Sequence, residues 1–490
     1  MTNQSIAATV RHPFEQGVPL VIDVDGTLLQ ADLSAEHLLR CVAETPLRLP
    51  AAAMAALKGG RSGLKSWLVE HVPFDPTTPP VNPAVMTLVE EARAAGRPVV
   101  LASASDRRLI EALDAEHGPF DAVLGSDETT NLSGHRKAAA LEALYGRNGF
   151  DYVGDSAVDG PVWASARRAV AVSNDTRLQK RLAESGKLHS VIKRPDRRRA
   201  FLRALRPHQW LKNLLVFVPI VAGHHLDAAS IAMTIAAFVA FCLIASAGYV
   251  ANDLLDLPSD RSHPIKSTRP FAAGLLSIHD GLILLAVLSA AATVTALAIS
   301  PAFFGILGLY MALTLAYSLF LKRLMMVDVM VLGLLYTMRI LAGGIVVGVA
   351  VTDWLLAFSQ LFFLSLAIVK RLIELVDLHQ QTTTATSQIA GRGYVASDIA
   401  PMGQLAAASA FGSSTVLALY INSGQVRVLY SHPEFLWGLW LILIFWLGRL
   451  LVLAHRRAIH DDPVVFAATD RVTLGLGVVG LLILLVASLW

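Results

Sequence analysis

The chain has 490 residues, of which 54% are hydrophobic and only 16% charged, against roughly 25% charged in an ordinary soluble chain. Charge is unevenly spread: 50 of the first 211 positions are Lys, Arg, Asp or Glu, but only 29 of the remaining 279. This excludes a single soluble fold, a disordered chain and a fibrous repeat, and predicts a globular part followed by a membrane part.

The net charge of +3, without a basic patch interleaved with stacking aromatics, argues against a nucleic-acid partner. Cys41 and Cys242 lie on opposite sides of the compositional divide, so no disulfide framework is expected. The apolar run Val18–Val24 is short and runs straight into acids, which is not the pattern of a cleavable signal.

Residues 18–28, VPLVIDVDGTL, read as a buried strand running into Asp23, Asp25 and Gly26. Further apolar runs end in polar groups at Val99–Ala102, before Ser103, and at Tyr152–Val153, before Gly154 and Asp155. Ala/Leu-rich stretches such as Lys137–Tyr145 lie between them. Strands alternating with helices predict a Rossmann-like α/β domain with a parallel sheet. Ligands of such sheets sit at the carboxyl ends of the strands, where these polar residues fall.

The residues there suit phosphoryl transfer through an aspartyl phosphate. Asp23 is a carboxylate nucleophile for phosphorus. Asp25, from the same strand end, can protonate the leaving alcohol and then activate water. Ser103 and Lys137 offer a hydroxyl and a cation to the phosphoryl oxygens. Asp155 and Asp159, in GDSAVD, join Asp23 and Asp25 as carboxylates for Mg²⁺.

In order, DVDGTLL, VVLASAS, GHRK and GDSAVD resemble the four motifs of the haloacid dehalogenase-like phosphatase superfamily, over about residues 16–190. The resemblance implies that the roughly 60 residues between the first two motifs form a small helical cap shaping substrate choice. There Arg61 and Lys65 could meet a second anionic group or form a solvated helix face. P-type ion pumps pair a related domain with many spans, but carry Thr or a similar residue where Asp25 stands and interrupt their spans with that domain.

Lys193–Arg206, KRPDRRRAFLRALR, has seven Lys/Arg and one Asp. It suits a basic amphipathic helix on anionic lipid or a solvated linker. Expected limits are 1–192 for the phosphatase part, 193–209 for the linker and 210–490 for an all-α membrane part. Apolar runs at 210–223, 229–251, 279–298, 302–320, 327–349, 354–376, 402–421, 435–454 and 472–489 predict about nine spans. The first is short and carries Pro219, which predicts a tilt or break. Eleven Lys/Arg of the connections fall on one side and only Arg427 on the other. The positive-inside rule then puts the phosphatase part in the cytosol and the C-terminus outside an inner membrane.

Span two ends in GYVANDLLDLPSDRSHPIKSTRP, in which Asp253, Asp256 and Asp260 share one helix face within about 60°. Three acids there repel unless a cation joins them, and an intramembrane acidic cluster is a functional-site signal. With Asn252 they form an oxygen-ligand set for Mg²⁺. Arg261, His263, Lys266 and Arg269 follow as donors for phosphate oxygens.

This motif, and YSLFLK with Tyr317 and Lys322, resemble the UbiA superfamily of intramembrane prenyltransferases. RPHQWLKN, NDLLDLPSD, KRLIEL, GRGY and HDDPVVFAATDR resemble its decaprenyl-phosphate phosphoribosyltransferase branch, over about residues 203–489. Typical UbiA enzymes carry a second Asp-rich motif after span six. Here that place has Lys370, Arg371, Glu374 and Asp377, which suits an anionic acceptor better than a second metal. Arg339, inside span five, could touch an acceptor phosphate or pair with Asp328 or Glu374. Lys212, Asn213, Lys322 and Arg392 are further anion-site candidates.

The resemblance implies transfer of 5-phosphoribose from phosphoribosyl diphosphate to a polyprenyl phosphate. Asp253 and Asp256 would be central, and the phosphatase would remove the 5-phosphate to give polyprenyl-phosphoryl ribose for cell-wall precursors. The alternatives are an isoprenoid transfer to an aromatic acceptor and an ion transporter. The transporter reading lacks any sign of paired halves. Oligomeric state is left open, a homo-oligomer included.

Overall fold

A computed structural model of the chain describes residues 9–10, 17–127, 130–381, 392–459 and 462–489. Two compact units result. One holds the described residues up to Leu205 together with Val250–Leu284; the other holds Arg206–Tyr249 and the described residues from Leu285 on.

The first unit is built on a seven-stranded sheet in the order β1-β4-β3-β2-β5-β6-β7. The strands are β1 (Thr9–Val10), β2 (Leu20–Ile22), β3 (Val99–Asp106), β4 (Ala122–Ser126), β5 (Asp151–Gly154), β6 (Arg168–Val172) and β7 (Leu188–Ile192). All neighbours are parallel except β1, which runs antiparallel to β4. Side-chain alternation splits the apolar residues between two cores. Ile22, Leu101, Val123, Val153 and Val170 pack on one face; Val21, Val100, Leu124, Tyr152 and Ala169 pack on the other. A sheet covered on both faces explains why its strands read as continuous apolar runs.

Ile22 pairs with Leu101 on one side and Val153 on the other. Asp23 therefore leaves the sheet between the ends of β3 and β5. Between β2 and β3 stand helices Leu33–Glu44, Leu49–His71 and Pro83–Ala94. The first two carry Cys41 and Leu68, which share a small core with Val72, matching the expected helical cap. Leu49–His71 is kinked at Gly60, whose φ of +60° suits glycine.

Among the described residues, seven helices are long and apolar enough to cross a membrane: Ala228–Leu255, Ile278–Ile299, Pro301–Leu319, Val327–Val347, and stretches 396–421, 433–455 and 471–488. The chain is an integral membrane protein. Two of the nine expected spans differ from this set. Over 210–223 the backbone forms a 3₁₀ segment, Pro207–Phe217, followed by the five-residue helix Val218–Ala222. The break expected at Pro219 is thus a change of helix type around it. The run 354–376 lies inside the 29-residue helix Asp353–Gln381, whose later turns carry Lys370, Arg371, Glu374 and Asp377.

Candidate active sites

In the first unit, Asp23 is 6% exposed, and Lys137 Nζ donates to its Oδ1 at 2.7 Å. Lys137 comes from helix His135–Tyr145 and also lies 3.7 Å from Asp159 Oδ1. Carboxylate oxygens of Asp23, Asp155 and Asp159 lie within 4.8 Å of one another, and among the described residues no other such trio occurs. Burial pushes the Asp23 carboxyl up to about 8, against the pull of Lys137. Burial also raises Asp25 and Asp155. At Lys137 burial opposes the charge, but Asp23 and Asp159 outweigh it and raise the ammonium. Crowded hard oxygens held back from ionising are a donor set that fits Mg²⁺, whose charge would offset their repulsion.

The Asp25 side chain lies outside this trio. Its Oδ1 accepts from the Leu33 N–H at 2.8 Å, and its Oδ2 from the hydroxyls of Ser103 at 2.8 Å and Ser105 at 2.7 Å. Ser103, expected on a phosphoryl oxygen, instead steadies Asp25 here. Asp155 is engaged by Arg194 Nη2 at 2.7 Å, and the same nitrogen donates to the Gly26 carbonyl at 2.6 Å. A Cβ on Gly26 would fall 2.5 Å from Asp155 Oδ2, and its φ is +74°. Glycine is therefore required where the turn after Asp25 passes Asp155. Lys65, half-buried in the second cap helix, donates to the Ala104 carbonyl at 2.6 Å. Arg61, in the same helix, is exposed and lines the cavity over Asp23.

Helix Ala228–Leu255 carries Asn252 and Asp253 in its last turn, and Asp256 stands at the residue before the following helix Leu257–Ser262, with no side-chain capping bond to it. Asp253 and Asp260 are buried. Arg269 bridges them, 3.2 Å from Asp253 Oδ1 and 2.6 Å from Asp260 Oδ2. The expected shared face is real for this i, i+7 pair, and the cation joining it here is a guanidinium. Asp256 is not drawn into a three-acid set with them. Arg261, expected on phosphate, forms a two-pronged pair with Glu36, with Nη1 2.6 Å from Oε2. Lys266 is exposed.

In the second unit the residues singled out in the sequence fall into three polar clusters. Lys212 and Lys370 share Asp462 Oδ2 at 2.7 and 3.0 Å. Burial opposes the Asp462 charge, but the two lysines outweigh it and hold its carboxyl well below the usual range. Arg371, 1% exposed, donates from Nε to Asp328 Oδ2 at 2.8 Å, from Nη1 to Glu374 and from Nη2 to Tyr317 Oη at 3.2 Å. Tyr394 Oη donates to Asp328 Oδ1, and Arg392 reaches Tyr317 Oη at 3.2 Å and Glu374 Oε2 at 3.4 Å. Arg339 pairs with neither Asp328 nor Glu374. Its partners are Asn213 Oδ1 at 2.9 Å, Tyr310 Oη at 2.8 Å and the Leu335 carbonyl. Lys322 sits half-buried in the 3₁₀ turn Leu321–Arg323.

Residues 20–163 match the haloacid dehalogenase-like hydrolase family, and residues 214–383 match the UbiA prenyltransferase family. The chain is a UbiA-family membrane protein fused behind a haloacid dehalogenase-like domain. Uncharacterized protein y4nM of Sinorhizobium fredii is 36% identical over 475 residues, covering 95% of this chain and 90% of that protein. Nodulation protein NoeC of Azorhizobium caulinodans is 35% identical, covering 55% of this chain and 87% of that one. Decaprenyl-phosphate phosphoribosyltransferase of Corynebacterium glutamicum is 34% identical over 192 residues, covering 37% of this chain and 56% of that enzyme.

Sequence reasoning did not select several partners in this UbiA fusion: Ser105, Arg194, Tyr310, Tyr394 and Asp462. Ser105, Tyr394 and Asp462 lay inside the quoted stretches VVLASAS, GRGY and HDDPVVFAATDR. Arg194 and Tyr310 carried no local signal, since a linker arginine and an intraspan tyrosine gain a partner only on folding.

Proposed function

We propose that the UbiA part moves 5-phosphoribose from phosphoribosyl diphosphate to a polyprenyl phosphate, and that the fused phosphatase then removes the 5-phosphate. Both reactions face the cytosol of an inner membrane, as the basic connections suggest. The observation that carries this reading is the sharing of one carboxylate, Asp462, by two ammonium groups, Lys212 and Lys370. Two cations on one acid leave a net positive charge, which suits an anionic acceptor phosphate and not a second metal. The partial match to decaprenyl-phosphate phosphoribosyltransferase supports the same acceptor.

In the first reaction a lipid phosphate oxygen attacks the anomeric carbon, and the bond to pyrophosphate breaks with its electron pair leaving on pyrophosphate. Of the residues at the end of span two, Asp253 and Asp260, which lie together beside Arg269, would hold Mg²⁺, which when bound supplies positive charge toward the departing group. Arg269, already beside these two acids, orients phosphate oxygens. In the second reaction Asp23 attacks phosphorus, the ester P–O bond breaks, and Asp25 gives its proton to the sugar oxygen. Water then attacks the aspartyl phosphate while Asp25 takes its proton, which frees inorganic phosphate and Asp23. Lys137 keeps Asp23 aimed, and three hydrogen bonds keep Asp25 in place.

Purified protein given donor, lipid phosphate and Mg²⁺ should release both pyrophosphate and inorganic phosphate. Asp23→Asn should release pyrophosphate alone and accumulate the phosphorylated lipid. Free ribosyl lipid from that variant would refute the pairing of the two sites. Label entering lipid from a prenyl diphosphate, and none from the ribosyl donor, would favour isoprenoid transfer instead.

A further inference from the structure

The cavity over Asp23 and Asp25 has a volume of about 610 Å³, and part of its lining comes from far along the chain. Gly274, Leu275, Ser277, Ile278, His279 and Asp280 line it, and all belong to the same compact unit as the phosphatase sheet. Ile278 is the first residue of Ile278–Ile299, a helix apolar enough to cross a membrane. One wall of the hydrolase cavity is thus the first turn of a membrane span.

This wall is fitted closely. Gly274 has a φ of +68°, and a Cβ there would fall 2.6 Å from both the Cβ and the carbonyl oxygen of Gln30. Gln30 follows the nucleophile turn, and its N–H donates to the Pro80 carbonyl at 2.8 Å. Beyond Gly274 the wall is braced by a reciprocal cap. The Ser277 N–H and hydroxyl donate to Asp280 Oδ2 at 3.0 and 2.7 Å, and Asp280 N–H donates back to Ser277 Oγ at 3.1 Å. Arg197, from the basic linker, pairs with Asp280. Away from the acids of its floor the cavity is lined by Arg61, Lys193 and the paired Arg197 and Asp280, together with Asp32.

We propose that the connection Gly274–Asp280 is the specificity wall of the phosphatase, restricting it to phosphomonoesters tethered to membrane lipid. A cavity walled by the start of a span opens at the depth of lipid headgroups. A tethered substrate reaches it at high effective concentration, whereas a soluble monoester has no such advantage. The cations at Arg61 and Lys193 suit a second anionic group between the monoester and the lipid, such as a phosphodiester. This rests on the function proposed above only in taking ribose 5-phosphate as the tethered monoester.

The test uses the full chain in lipid nanodiscs with two probes, so that it does not require the transferase step. One is p-nitrophenyl phosphate; the other is a synthetic short-chain polyprenyl-phosphoryl ribose 5-phosphate. Gly274→Val should lower kcat/KM for the lipid probe at least tenfold more than for p-nitrophenyl phosphate. Arg197→Gln, which frees Asp280 without crowding the backbone, should move the ratio in the same direction and serves if the valine variant does not fold. Equal loss on both probes, or no change in the ratio for either variant, overturns the proposal. A wild-type protein that makes no lipid from phosphoribosyl diphosphate, but whose ratio still shifts, would refute the transferase reading and leave the wall in place.

Discussion

Asp25, the proposed acid and base of the phosphatase, shows how far neighbours set the placing of one carboxylate. Two hydroxyls and one backbone N–H converge on its carboxylate and fix its orientation. Removing one should loosen that aim without removing the acid. Ser105→Ala is expected to lower the phosphatase kcat about tenfold, roughly 1.4 kcal/mol of barrier, with KM little changed, in a steady-state assay on p-nitrophenyl phosphate. On the membrane side, Lys370→Gln leaves Lys212 as the sole ammonium on Asp462. The KM for lipid phosphate should rise at least tenfold while that for the ribosyl donor stays put; equal rises in both would contradict an acceptor site there. Asp23, Lys137, Asp155 and Asp159 were legible in the sequence because each follows an apolar strand or opens a helix. Ser103 was legible as polar, but its bond to Asp25 depends on the register of β3 beside β2, which no local pattern records.

At the scale of elements, the parallel sheet could be read because strands buried on both faces leave uninterrupted apolar runs. The short edge strand β1 could not, since two residues carry no period. Among the helices, length and apolarity revealed seven spans. The stretch 210–223 looked like a further span because composition does not distinguish a 3₁₀ segment from an α-helix, and so did 354–376, which lies inside the longer helix Asp353–Gln381. Between helices Val327–Val347 and Asp353–Gln381, Arg371 and Asp328 form an ion pair that is 1% and 0% exposed on its two sides. Taking away one partner strands a buried charge, which costs about 3 to 5 kcal/mol. Asp328→Ala also removes the acceptor of Tyr394. A large drop in the thermal unfolding midpoint in detergent is expected, whereas Asp377→Ala, whose acid is half-exposed beside Arg457, should change it little.

On the scale of the whole molecule, a haloacid dehalogenase-like domain and a UbiA-family domain share one chain, and the sequence segment between two membrane spans belongs to the compact unit that carries the parallel sheet. The compositional divide near residue 211 was visible in charge density alone. The return of 250–284 to the first unit was not, because that segment's charges resemble those of any cytosolic connection. Arg261 illustrates the difference: it looks like a phosphate donor by position, yet its guanidinium is taken by Glu36 of the cap helix. The acids at the end of span two carry the central proposal, that a lipid phosphate takes the ribosyl group there and pyrophosphate is displaced. The most direct check is mass spectrometry of the lipid formed from phosphoribosyl diphosphate and polyprenyl phosphate with Mg²⁺. A mass gain of one dephosphorylated ribosyl group, absent in EDTA and in Asp253→Ala, is the expected result. An unchanged lipid, or the same product undiminished in that variant or in EDTA, would contradict it.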